Sequence, residues 1–87
     1  MSEELQRDLA GVRAEIDGID ARLLELISQR ARCAQKVGEI KARHGEIGHI
    51  YRPEREAEVL RRIQDKNPGP LSNEYVTFFF REIMSAC

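Results

Sequence analysis

Residues 9–40 read LAGVRAEIDGIDARLLELISQRARCAQKVGEI. Apolar residues recur there at alternating steps of three and four: Leu9, Val12, Ile16, Ile19, Leu23 and Leu26, then Cys33, Val37 and Ile40 beyond Arg30. That spacing is one face of an α-helix. The pattern runs from Leu5 to Ile40 without a proline, which predicts a single helix of about 40 residues, about 60 Å long at 1.5 Å per residue. Arg30 interrupts the seam: a permanently charged guanidinium stands where an apolar residue is expected.

The chain has 87 residues, with 14 basic and 15 acidic side chains and a formal net charge of −1. That length suits one domain, residues 1–87, and not two. Charges of both signs are intermixed, so there is no broad positive field of the kind that binds nucleic acid or an anionic membrane. No apolar run approaches the roughly 20 residues of a membrane span, and the start MSEELQRDLAG lacks the regions of a signal peptide. A cytoplasmic protein is expected. Cys33 and Cys87 do not make a disulfide framework, and with His44 and His49 they show no zinc-site spacing. Neither metal nor cofactor is expected.

A rod of about 60 Å leaves about half the chain to cover it, so a second copy is needed to bury the seam, most simply across a twofold axis. Beyond the rod, HGEIGH at 44–49 reads as a loop, and Pro53 suits the first turn of a second helix. Val59, Leu60 and Ile63 share one face of that helix, and Glu56 falls on the same face. NPGP at 67–70 breaks the chain, and Ser72 is placed to cap a third helix. Its apolar stripe is Val76, Phe79, Phe80, Ile83, Met84 and Cys87. Phe78, Phe79 and Phe80 are expected to lie mostly in the core, with Cys33 as a small core residue. The fold class is therefore all-α: three helices per chain, one of them about 40 residues long, in a helical homodimer. Because the last stripe reaches residue 87, the natural chain is expected to continue beyond it.

Lys41 follows Arg30 by 11 residues, which places it about 20° away around the helix and about 16 Å further along. Both cations face one inner region, where Arg30 can fork onto a carboxylate and Lys41 act as a point charge. Glu56 adds a hydrogen-bond acceptor suited to a ligand hydroxyl. Arg13 flanks the seam as Lys41 does, but lies about 25 Å from Arg30 along the axis. An antiparallel partner helix would bring its Arg13 to the Arg30 region and create two equivalent sites. Each residue also has a plainer role. Arg30 can set register or pair with Glu56, Lys41 can snorkel near a helix end, Arg13 can be solvated, and Glu56 can favour a helix N-terminus. The excess of inward cations over inward anions favours a bound anion, since buried unbalanced charge is costly.

The order of these residues resembles a known family. An arginine lies early in a long helix (Arg13), a second lies in its middle (Arg30), VGEIK ends at Lys41, and YRPERE precedes a second helix. This resembles the all-helical chorismate mutases, in particular the N-terminal mutase domain of bifunctional chorismate mutase/prephenate dehydratases. The resemblance covers nearly the whole chain and implies an intertwined homodimer of three-helix chains with shared active sites, acting in aromatic amino acid biosynthesis. It implies that Arg30 and the partner subunit's Arg13 clamp the two substrate carboxylates and that Lys41 contacts the breaking ether oxygen. Glu56 would accept the ring hydroxyl, with Arg55 in support. Arg52 and Cys87 fall at substrate-binding positions where family members carry an acidic residue and a serine. The family also places a glutamine or glutamate about one helical turn beyond Cys87.

The implied reaction, chorismate to prephenate, is an intramolecular Claisen-type rearrangement that needs no nucleophile, proton transfer or cofactor. A site need only hold the flexible dianion in its compact conformer and stabilise charge on the ether oxygen. Two alternatives stay open on the sequence: an isochorismate pyruvate lyase on the same scaffold, and a coiled-coil dimerisation or regulatory module in which Arg30 only sets register.

Overall fold

The structure, a computed structural model, describes residues 2–45 and 53–87. Three helices follow in order: α1, Glu3–Arg43, α2, Pro53–Lys66, and α3, Asn73–Ala86. The expected long helix is present at 41 residues. Ser2 caps it, its Oγ accepting from Leu5 N–H at 3.1 Å. Glu3 and Glu4 in the first turn and Lys41 and Arg43 in the last oppose the helix macrodipole. At the C-terminus Gly45 N–H donates to the Ala42 carbonyl at 3.2 Å, and Gly45 adopts φ +80°, a left-handed stop that glycine takes without strain. Of the expected loop HGEIGH, His44 and Gly45 form a turn; its remainder, with His49, and Arg52 lie outside the described residues.

The chain divides into two units, Met1–Cys33 and Ala34–Cys87. The first is the N-terminal part of α1. Its apolar seam is exposed in the single chain: Val12 54%, Ile16 49%, Ile19 45%, Leu23 50% and Leu26 59%. Cys33, expected in the core, is exposed, as the seam residues on either side of it are.

The second unit holds the end of α1, α2 and α3. Pro53 opens α2, where its missing N–H costs no helical bond. Ser72 caps α3 as expected, accepting from Tyr75 N–H at 3.3 Å. Between them Asn67 closes the linker. Its Nδ2 donates to the Leu71 carbonyl and to Asn73 Oδ1, both at 2.8 Å, and its Oδ1 accepts from Gly69 N–H at 3.0 Å. Gly69 at φ +74° makes the reversal possible. Gln64 Nε2 donates to Thr77 Oγ1 at 2.8 Å. Pairing 64 with 77 and 67 with 73 means that numbers fall along one helix as they rise along the other, so α2 and α3 are antiparallel.

Leu60, 8% exposed, is the one buried residue among those described. Around it Val59, Ile63, Val76, Phe80, Ile83 and Met84 are half-buried, as the apolar stripes predict. Phe78 and Phe79 depart from the expectation, at 57% and 46% exposed. At 100° per residue, position 79 sits a quarter-turn from Phe80 and position 78 nearly opposite it. Both rings instead join Tyr75 on the outer side, with Tyr75–Phe79 centroids 6.5 Å apart and Phe78–Phe79 5.8 Å apart.

Candidate active site

α1 inverts the usual relation between charge and burial. Seam residues from Val12 to Ile40 are exposed, whereas Arg30 and Lys41 are half-buried. Long cationic side chains lay their stems along neighbouring apolar surface while the charged head stays accessible. Among the described residues of α1, the others at this level of burial are Leu9, Ser28, Ala31 and Ala34.

Within the first unit, Arg13 is exposed and Arg30 half-buried. Seventeen residues of one helix separate them, about 25 Å along its axis, so a single chain does not bring both to one small ligand. Within the second unit, Lys41 lies in the last turn of α1, and Glu56 lies in the first turn of α2. Glu56 is half-buried on the face that carries Leu60, so it is both a first-turn carboxylate and an inward one. Extending the antiparallel pairing sets Glu56 level with Met84 of α3, with Cys87 about one turn further on. Glu56 and Cys87 therefore share one end of the α2–α3 pair.

Two of the expected site residues are engaged locally. Arg55 is exposed, and its Nη1 lies 3.9 Å from Glu58 Oε1. Cys87 caps the C-terminus of α3: its N–H donates to the Ile83 carbonyl at 2.9 Å, and its Sγ donates to the same oxygen at 3.2 Å. Two open grooves on the α2–α3 pair, of about 460 and 340 Å³, are lined by residues such as Gln64, Thr77 and Arg81, and Ile63, Leu71 and Phe80. Neither includes Lys41 or Glu56. No group of His, Cys, Asp and Glu suited to a metal ion occurs among the described residues.

Residues 12–87 match the family described as chorismate mutase type II. The chain belongs to that family. The matched span contains every site candidate from Arg13 to Cys87. The bifunctional chorismate mutase/prephenate dehydratase of Pseudomonas aeruginosa is 54% identical over 85 residues, covering 94% of this chain and 23% of the relative. Its counterpart from Stutzerimonas stutzeri is 51% identical over 90 residues, covering 100% and 24%. The chain thus spans about a quarter of the length of the curated relatives it matches. The solved chorismate mutase (form I) of Thermus thermophilus superposes with a TM-score of 0.83 at 34% identity, covering 91% of this chain and 96% of that one. Of the three readings open on the sequence, the mutase is the one these matches carry.

The sequence reading missed the tie between Gln64 and Thr77. A signal for it existed: Gln64 lies four residues after Leu60, so a polar side chain falls on the apolar face of α2.

Proposed function

We propose that this mutase converts chorismate to prephenate in two composite sites of a twofold homodimer. Arg30 of one subunit and the partner subunit's Arg13 grip the two carboxylates. Lys41 donates to the ether oxygen, and Glu56 accepts from the ring hydroxyl with Arg55 beside it. Arg52 and Cys87 occupy the remaining substrate-binding positions. No group of the protein bonds covalently to the substrate. Catalysis is selection of the compact conformer, with a fixed positive charge waiting where negative charge develops as the carbon–oxygen bond breaks.

The observation that carries this proposal is the half-burial of Arg30 and Lys41 on a helix whose apolar seam is exposed. A dianionic substrate offers each of these cations an acceptor in the proposed site. The dimer is supported by the same seam. One buried leucine contributes only about 1.5–3 kcal/mol, too little to hold a three-helix chain against its conformational entropy, whereas a second α1 would cover Val12, Ile16, Ile19, Leu23 and Leu26. No helix among the described residues is long and apolar enough to cross a membrane.

The test is consumption of chorismate followed optically, with the product identified by NMR. Prephenate is expected. Inertness toward chorismate together with release of pyruvate from isochorismate would replace the mutase with a lyase.

A further inference from the structure

The buried and half-buried apolar side chains of α2 and α3 include Leu60, Ile63, Val76, Phe80, Ile83 and Met84. Apolar attraction is non-directional, so these contacts alone tolerate one helix sliding or turning against the other. At the linker, Asn67 fixes the pair through its bonds to Leu71 and Asn73. Further along, the directional tie is Gln64 Nε2 donating to Thr77 Oγ1 at 2.8 Å, with both residues half-buried. Glu56 lies eight residues before Gln64, about 12 Å along α2, and Cys87 ten residues after Thr77, about 15 Å along α3. The tie therefore stands between the anchored linker and the end that carries Glu56.

We infer that the Gln64–Thr77 hydrogen bond is a positioning pair for the Glu56 carboxylate, an inference that rests on Glu56 accepting the substrate hydroxyl as proposed above. Slipping α3 by one residue against α2 moves the wall facing Glu56 by about 1.5 Å. In a site that works by holding one conformer, a misplacement of about 1 Å costs about 100-fold. A half-buried amide left without its acceptor is unfavourable, so the bond selects one register among those the apolar side chains permit. Neither Gln64 nor Thr77 needs to touch the substrate.

Three variants isolate the bond. Thr77→Val removes the hydroxyl at nearly constant volume, Gln64→Leu removes the donor, and Thr77→Ser keeps the acceptor. With folding checked by circular dichroism and urea midpoint, Thr77→Val and Gln64→Leu are expected to lower kcat/KM about tenfold, and Thr77→Ser to stay within about twofold of the parent. In a Glu56→Gln background, Thr77→Val should cause no further loss, because what it positions is already disabled. Parental kcat/KM in both Thr77→Val and Gln64→Leu would overturn the inference, and so would losses that multiply in the double variant. If Glu56→Gln alone kept parental activity, the assigned role of Glu56 would fall, and the inference with it. A damaged Glu56→Gln combined with multiplying losses would sink only the tie.

Discussion

Arg55 Nη1 lies 3.9 Å from Glu58 Oε1, and Arg62 Nη2 reaches that same oxygen at 2.8 Å. The arginine expected to support Glu56 thus shares a carboxylate one turn further along α2. All three side chains are more than half exposed, where water and salt screen such pairs to about 0–1 kcal/mol. Glu58→Gln is therefore expected to change unfolding free energy by less than about 1 kcal/mol in urea titrations. A larger loss would mean that this cluster is held in a more enclosed setting.

In the proposed site Lys41 would meet charge that exists only in the transition state. Removing such a donor costs about 100- to 1,000-fold in kcat. Lys41→Ala should show that loss while its circular dichroism and its sedimentation match the parent. Turnover at the parental rate would end the assignment. Lys41→Arg is expected to recover only part, because a planar fork does not reproduce a compact ammonium.

What the sequence made legible was whatever follows from periodicity. The length of α1, the proline at the start of α2 and the Ser72 cap each depend on local rules, and the structure bears them out. Three-and-four spacing also admits Phe79, yet at about 100° around α3 from Phe80 it is 46% exposed and joins the outer rings. Arg30 and Lys41 stand out in the sequence because a cation in or beside an apolar seam breaks a pattern. Gln64 breaks one too, but its partner Thr77 lies 13 residues away on another helix, and no periodicity within one helix reports such a pairing.

Leu60 tests how much of the second unit rests on a single side chain. It is the buried residue of α2, and Ile63, Val76 and Phe80 of the same unit are half-buried. Leu60→Ala is expected to cost about 2–4 kcal/mol, read from the urea midpoint at unchanged slope. A cost below about 1 kcal/mol would place the main core elsewhere, against surfaces that one chain leaves open.

The exposed seam makes a prediction about assembly. Ile19 at 45% and Leu23 at 50% exposure lie where a second α1 would pack. A carboxylate placed there would have to be buried without a partner. Leu23→Asp should shift sedimentation from dimer to monomer and lower helical ellipticity, since long helices with an uncovered apolar face owe their stability mainly to packing. Unchanged sedimentation at micromolar concentration would argue that the seam is not the interface.

Shared sites are tested most directly by mixing two inactive variants. Arg13 and Arg30 stand about 25 Å apart on one helix, so each site needs one from each subunit if both touch the same substrate. Arg13→Ala and Arg30→Ala homodimers should each have lost tight binding. In a heterodimer of the two, one site combines both substitutions, while the other combines the intact Arg13 of one chain with the intact Arg30 of its partner. Random exchange of equal amounts makes about half the dimers mixed, so about one quarter of the parental sites should return. The check is kcat/KM before and after exchange, with mixed dimers quantified by native mass spectrometry. Silence in a sample proven to contain heterodimers would show that the two arginines do not meet across the interface, and the composite site would have to be abandoned.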